Sequence, residues 1–163
     1  MKIHQVSIIE GNSFIDERGS FVKLFTNIDG VPFKIKEIYY SQSKKSVIRG
    51  MHGQKGDDFW KAICLVEGDA LDVLIDVRKS SPTYGIINTF ELKHSKPKII
   101  IIPPGVLHGF QSLSTNCKMM YLVGDIYKPS EEIGINPLSI NINWPIKPYI
   151  ISDRDKNLKK HES

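Results

Sequence analysis

The chain has 163 residues, a formal net charge of +4 and a sequence pI near 9.0. This length fits one domain over residues 1–163, with a core that needs neither disulfides nor a metal. The charge would permit nucleic-acid binding, but the cations are scattered and no aromatic-rich basic strand occurs, so a small anionic substrate is expected instead. No apolar run approaches the roughly twenty residues that cross a bilayer, and no secretory leader is recognisable. Both cysteines, Cys64 and Cys117, lie in apolar stretches, which favours a reduced, cytoplasmic setting.

Stretches rich in β-branched and aromatic residues, separated by turn formers, predict strands. In chain order they are SFVKLFT (20–26), IKEIYYSQS (35–43), WKAICLVEGDALDVLIDV (60–77), GIINTFEL (85–92), KIIIIPP (98–104) and KMMYLVGDIY (118–127). Within the third stretch Gly68-Asp69 predicts a tight turn. Asp72 and Asp76 alternate with apolar residues, which predicts one core face and one partly wet face. A mostly β fold with many short strands favours a barrel or jelly roll.

The chain changes character near its C-terminus. Prolines and asparagines interrupt any regular pattern over residues 127–148. We expect this segment to wrap over the barrel and to carry residues back to the mouth of a pocket. Residues 152–161 (SDRDKNLKKH) predict a short, solvated helical turn.

Two histidines stand in suggestive settings. His52 lies in VIRGMHGQ, and His108 lies in IPPGVLHGF, whose P-x-G-x-x-H spacing is typical of the later cupin motif. A metal-binding cupin would also need an H-x-H pair and a carboxylate, and this set is incomplete here, so no bound metal is expected. Either histidine could instead be a hydrogen-bonded core residue. As a base, a histidine needs a carboxylate partner, for which Asp155, Asp72 and Asp76 are the candidates.

Three cations could act on an anionic substrate. Arg18 and Arg49 each precede a glycine, where a guanidinium can grip a phosphate through two parallel hydrogen bonds, although ordinary surface arginines would look the same. Lys61 lies among apolar residues and either snorkels to the surface or points into a pocket. In a pocket its ammonium group could stabilise an enolate oxygen.

Several motifs occur in an order that resembles the dTDP-4-dehydrorhamnose 3,5-epimerase family, whose members have an RmlC-like cupin fold. They are DERGSF, SQSKKSVIRGMHGQ, GDALDVLIDVRKSSPTYG, IPPGVLHGF, a tyrosine followed by DIYKP, NWP and SDRD. The resemblance spans nearly the whole chain. It implies a cupin-type jelly-roll β-barrel with a short C-terminal helical segment.

The resemblance also implies a cofactor-independent epimerase acting on a nucleotide-diphosphate 4-keto-6-deoxy sugar in deoxysugar or surface polysaccharide biosynthesis. By match to the family, His52 is the base, Asp155 its partner, Tyr121 the acid on the opposite face of the sugar, and Lys61 the enolate stabiliser. The residues matched to substrate contacts are Arg18, Phe21, Arg49, His108, Tyr127, Glu132 and Arg154. The family usually forms a homodimer in which an N-terminal segment crosses the interface, which would bring Phe21 to the neighbour's nucleotide.

The chain departs from the family pattern near the nucleotide. Glu37 replaces a glutamine, Tyr39 an asparagine and Lys23 a glutamate; Leu122 and Gly53 also differ from the usual residues. Catalytic positions are kept while recognition positions change, which indicates the same proton chemistry on a different sugar nucleotide, or epimerisation at C3 or C5 alone.

Other interpretations of the function stay open. A single-site epimerase of a GDP- or CDP-sugar and a non-catalytic sugar-nucleotide-binding cupin are the main alternatives. A metal-dependent cupin lacks its ligands here. A sugar-nucleotide ketoisomerase would carry a histidine-rich motif around the first histidine. This chain has a single histidine there, His52.

Overall fold

A computed structural model describes residues 1–24 and 31–161. In chain order its elements are β1 (Ser7–Glu10), β2 (Asn12–Asp16), β3 (Gly19–Lys23), β4 (Glu37–Ser43), β5 (Val47–Gln54), β6 (Lys61–Glu67), β7 (Asp69–Asp76), β8 (Ile87–Lys93), β9 (Lys98–Ile102), β10 (Val106–Ser112), β11 (Cys117–Val123), β12 (Glu132–Gly134), β13 (Ile150–Ile151) and α1 (Asp153–Lys156). The mostly β fold and the short C-terminal helix are confirmed. No described helix is long and apolar enough to cross a membrane.

Two sheets pack face to face. The first has the strand order β1-β9-β6-β11-β4 and the second the order β12-β5-β10-β7-β8, with β13 beside β5. All pairs are antiparallel except β13 with β5. Between the sheets lies an apolar core to which both contribute, for example Ile63 and Met119 from the first sheet and Leu74 and Phe110 from the second. The arrangement is the expected cupin-type jelly roll.

Several strands were not predicted from the sequence. They are β1, β2, β5 and β10, together with the short β12 and β13 in the tail. β5 and β10 carry glycines and histidines, which weaken strand propensity, and they form strands because both lie inside a sheet. The stretch 118–127 was predicted too long, since β11 ends at Val123. Residues 25 and 26 of the first predicted strand lie outside the described residues.

The polar face of β7 is buried, so the predicted partly wet face is wrong. Asp72 and Asp76 are both fully buried. Each has protein partners instead of water: Asp72 contacts His108, and Asp76 accepts hydrogen bonds from Arg78 and Thr83, among others. The turn at Gly68 is confirmed, but it joins strands of different sheets and is a corner, not a hairpin.

The C-terminal segment wraps over the second sheet, as predicted. Ile140 and Trp144 are buried against its outer face, and the chain then returns to β5 through β13. Ser152 caps α1 by accepting a hydrogen bond from the Asp155 N–H at 3.1 Å. This turn places Asp155, a residue that is 4% exposed, against β5.

A bulge in β5 sets the direction of its side chains. His52 lies opposite His108 and Arg49 opposite Phe110, so three steps along β5 match two along β10. In a regular strand, residues three apart face opposite sides; the bulge turns Arg49 and His52 to the same cavity. Gly50 makes this possible with φ +130° and a backbone so close to Gly109 that a Cβ would lie 2.5 Å from its Cα.

We predict that Gly50→Ala destabilises the protein by about 2–4 kcal/mol, because it adds a backbone clash to an unfavourable φ. Gly85→Ala is the matched control: Gly85 also has positive φ (+77°), but nothing lies within 4 Å of its added Cβ. It should cost only about 1–2 kcal/mol. Urea unfolding measures both, and equal losses would show that the approach of β5 to β10 is not tight.

Candidate active site

One cavity of about 450 Å³ collects most of the predicted site residues. Its lining includes Tyr39, Arg49, His52, Lys61, Tyr121, Tyr127, Glu132, Arg154 and Asp155. Five further lining residues were not predicted from the sequence as part of the site: Ser41, Gly53, Gln54, Phe59 and Ser152. Strand alternation could have indicated Ser41 and Gln54, which lie two residues from Tyr39 and His52.

The predicted pair of His52 and Asp155 is present. His52 Nε2 lies 2.8 Å from Asp155 Oδ1, and the Gly50 N–H donates to the other carboxylate oxygen at 3.3 Å. Burial would raise the pKa of Asp155, but hydrogen bonds from these groups outweigh it and lower the pKa. The ionised carboxylate therefore holds the imidazole through Nε2, which leaves Nδ1 to act as a base.

Lys61 points into the cavity and does not snorkel to the surface. Its Nζ donates to the His52 carbonyl oxygen at 3.1 Å and lies 5.3 Å from the centre of the Phe59 ring. Burial lowers the pKa of Lys61 to about 8, although the charge of Glu132 opposes this effect. At neutral pH the side chain is a poorly solvated cation, which suits it to stabilise an anion beside His52.

Tyr121 faces the cavity from the other sheet. It lies on β11 in the first sheet, whereas His52 lies on β5 in the second. Burial raises the pKa of Tyr121, and the nearby charge of Asp72 adds to this, against a hydrogen bond with Ser41. The phenol is therefore protonated at neutral pH and can donate a proton across the cavity from the base.

A second His–Asp pair lies beside this wall. His108 Nε2 is 2.6 Å from Asp72 Oδ1, and the ring meets Tyr121 edge-on with 6.0 Å between ring centres. Among the described residues, Asp72 Oδ2 is a buried side-chain oxygen with no hydrogen-bond partner. His108 does not line the cavity, so it adjoins Tyr121 rather than the cavity itself. Asp76, the third carboxylate candidate, pairs with neither histidine.

Polar and aromatic groups surround the rest of the cavity. The hydroxyl of Tyr127 donates to Glu132 at 2.8 Å, and Arg154 pairs with the same carboxylate. Arg49 is held by Ser43 and the Gln42 carbonyl through two of its nitrogens. Two guanidinium groups and a phenol ring are thus available for a charged, aromatic ligand.

Four predicted contacts lie elsewhere in the chain's own fold. Arg18 and Phe21 belong to the β2–β3 hairpin and line a separate surface cavity. Arg18 is exposed and pairs with Asp16 at 2.5 Å. Glu37 begins β4 on the strand that carries Tyr39, yet it does not line the active cavity. His108 is the fourth, beside Tyr121 as described.

The described residues hold no group of three or more histidine, cysteine or acidic side chains that could bind a metal. The two cysteines are buried free thiols, and burial raises the pKa of Cys64 to about 12 and of Cys117 to about 11, so neither is a nucleophile at neutral pH. For chemistry, this cavity offers a histidine that can accept a proton and a phenol that can donate one.

The fold and the cavity together define a cupin with an acid–base site. A family model described as dTDP-4-dehydrorhamnose 3,5-epimerase matches residues 1–163. The chain therefore belongs to the dTDP-4-dehydrorhamnose 3,5-epimerase family, and it is an enzyme of the isomerase class.

Individual relatives support the same family assignment. The chain is 35% identical over 167 residues to the dTDP-4-dehydrorhamnose 3,5-epimerase of Shigella flexneri, covering 98% of this chain and 92% of that protein. It is 31% identical over 155 residues to the dTDP-4-dehydrorhamnose 3-epimerase of Streptomyces niveus, with coverage of 87% and 72%. A crystal structure of the dTDP-6-deoxy-D-glucose-3,5-epimerase RmlC from Legionella pneumophila, in complex with dTDP-4-keto-L-rhamnose, superposes with a TM-score of 0.89, 30% identity and coverage of 98% and 89%.

We predict that Lys61→Met increases the free energy of unfolding at pH 7 by about 1–3 kcal/mol, because it removes a buried charge at similar volume. The gain should shrink as the pH rises above about 8, where folded wild type loses the proton and the unfolded chain still keeps it. Urea unfolding at two pH values measures this. Lys118→Met, which removes a partly exposed lysine paired with Glu67, is the control and should change stability by less than about 1 kcal/mol. A less stable Lys61→Met protein would contradict the assignment of a burial cost.

Proposed function

We propose that the chain epimerises a nucleotide-diphosphate 4-keto-6-deoxy sugar at C3, C5 or both, without a cofactor, in deoxysugar biosynthesis for a surface polysaccharide. One observation carries this proposal: a histidine–carboxylate pair from one sheet faces a buried phenol from the other sheet across one cavity. The names of the relatives favour dTDP as the nucleotide. The relative from Streptomyces niveus, named as a 3-epimerase, keeps inversion at a single carbon as the alternative.

The proposed reaction begins at the base. His52 Nδ1 takes the proton from the carbon beside the ketone, and the electron pair moves onto the ketone oxygen as an enolate. Lys61 stabilises this oxyanion while it keeps its own proton, below about pH 8. Asp155 balances the charge of the imidazolium that forms.

Inversion follows from the opposite wall. Tyr121 gives its phenol proton to the other face of the same carbon, and the enolate collapses to the ketone. The imidazolium and the phenolate are then restored by proton exchange with solvent. No electrons are gained or lost, so the reaction needs no redox partner.

Recognition of the nucleotide falls to the rim of the cavity. Arg49 and Arg154 would hold the diphosphate, Tyr127 would stack on the base, and Glu132 positions Tyr127 and Arg154 through its carboxylate. Tyr39 and Glu37, at the positions where the chain departs from the family, would contact or border the nucleotide.

The β2–β3 hairpin supports a homodimer. Phe14, Ile15 and Phe21 expose 58%, 79% and 64% of their surface, which is unusual for large apolar side chains grouped on one hairpin. Docked on a second copy, the hairpin would bury them and bring Arg18 and Phe21 to the partner's cavity. We further propose a single domain working in the cytoplasm, which fits the two free thiols.

The proposal predicts solvent-deuterium incorporation at C3, C5 or both when the protein meets its sugar nucleotide. Proton NMR in deuterated water, with a panel of dTDP-, GDP- and CDP-linked 4-keto-6-deoxy sugars, identifies the nucleotide and the carbon. His52→Ala should abolish incorporation, a loss of at least about 100-fold for a general base. Lys118→Met is the control and should react as wild type does. No incorporation from any of these sugars would reject the epimerase and favour a binding protein.

Mixed dimers test the hairpin. An Arg18→Ala/Phe21→Ala variant and a His52→Ala variant should each be nearly inactive, but subunit exchange between them creates dimers with one intact site. Statistical mixing should restore about a quarter of wild-type activity. Activity that stays at the sum of the two separate variants would show that the hairpin does not serve the partner's site.

A further inference from the structure

Two tyrosines stand side by side on the cavity wall formed by the first sheet. Tyr39 of β4 and Tyr121 of β11 are direct cross-strand partners. Their ring centres lie 5.0 Å apart with 20° between the planes. Such nearly parallel stacking is favourable and restricts how each ring can turn.

Tyr121 has further contacts on its other sides. Its hydroxyl lies 3.4 Å from Ser41 Oγ, and its ring makes a T-shaped contact with the His108 ring, which is held in turn by Asp72. These groups are buried or half-buried, whereas Tyr39 is 44% exposed and belongs to an edge strand of the sheet. Tyr39 therefore covers the face of the Tyr121 ring on the side of the sheet edge.

We propose that Tyr39 is a positioning residue for the acid: its ring holds Tyr121 in the orientation that delivers a proton across the cavity and keeps water from its face. This inference rests on the proposed function, in which Tyr121 protonates the enolate. It gives the departure at position 39 a role in catalysis, separate from any contact that Tyr39 makes with the nucleotide.

The role of Tyr39 is visible in how the enolate is divided between two fates. Protonation from the His52 side returns the original configuration and, in deuterated water, leaves a deuterium without inversion. Protonation by Tyr121 gives the inverted sugar. A residue that positions Tyr121 changes the ratio of inversion to exchange without inversion, whereas a residue that only binds substrate or supports the fold changes both by the same factor.

The first experiment measures that ratio by proton NMR in deuterated water for wild type, Tyr39→Ala and Tyr39→Phe. Tyr39→Ala removes the stacked ring, and we expect the ratio to fall roughly threefold to tenfold, the range set by the strength of aromatic stacking. Tyr39→Phe keeps the ring and should keep the wild-type ratio, whatever its effect on the overall rate. Because both processes come from the same folded enzyme, the ratio does not depend on the fraction of each variant that is folded.

Two results would overturn the inference. An unchanged ratio in Tyr39→Ala, even with a lower overall rate, would reduce Tyr39 to binding or structure. A fall in Tyr39→Phe as large as in Tyr39→Ala would show that the hydroxyl of Tyr39, and not its ring, is what matters.

A second measurement needs no substrate. A fluorotyrosine placed at position 121, whose phenol ionises at lower pH, reports its own titration by fluorine NMR. Burial is the main cause that raises the pKa of Tyr121, and the charge of an ionised Tyr39 adds a smaller effect. Uncovering Tyr121 in Tyr39→Ala should therefore lower the midpoint, and Tyr39→Phe, which removes only the smaller effect, should lower it less. An unchanged midpoint in Tyr39→Ala would contradict the shielding role. If wild type reacts with no sugar nucleotide, the proposed function fails, while this titration still decides whether Tyr39 shields Tyr121.

Discussion

The hydrogen bond between His52 and Asp155 is the contact in the site that requires most of the fold to be in place. The two residues are 103 positions apart and meet at 2.8 Å. The contact forms only if the C-terminal segment crosses the outer face of the second sheet, returns beside β5 and ends in a capped helical turn. Because the pKa of Asp155 is lowered in the folded protein, this contact stabilises the fold fully at neutral pH and stops doing so as the pH falls through that lowered value and the carboxyl is protonated.

The site is built from polar groups that a β-sandwich would ordinarily exclude. Lys61, Asp72 and His108 lie almost wholly out of water between the sheets. Burying such groups costs stability unless they are paired, and here the pairing is incomplete, since one oxygen of Asp72 has no partner among the described residues. The same burial lowers the pKa of Lys61 and raises the pKa of Tyr121, which keeps the phenol protonated. Stability and proton transfer are therefore opposed at these positions.

Much of the fold could be predicted from the hydrophobic pattern of the sequence. The apolar runs of β6, β7 and β9 were evident because they are long, β-branched and bounded by turn residues. β5 and β10 were not, since glycines and histidines there serve close strand contact and chemistry, not propensity. The bulge at Gly50 could not be predicted from the sequence either, because it depends on the pairing register of β5 with β10.

The candidate site, too, could be predicted from the sequence only in part. Ordered motifs placed His52, Lys61, Tyr121 and Asp155 in one family pattern, and the structure brings all four to one cavity. Residue types alone left three carboxylates as candidate partners, and only the fold assigns Asp155 to His52 and Asp72 to His108. The contact of Tyr39 with Tyr121 had no sequence signal, since cross-strand neighbours are set by pairing over long range.

The central claim is that base and acid face opposite sides of one sugar ring. A crystal structure with an unreactive sugar nucleotide, one that lacks the ketone, tests it most directly. The account predicts the ring between the two sheets, with His52 Nδ1 and the Tyr121 hydroxyl directed at opposite faces of the same carbon and the diphosphate at Arg49 and Arg154. A ring bound outside this cavity, or with both groups on one face, would contradict it.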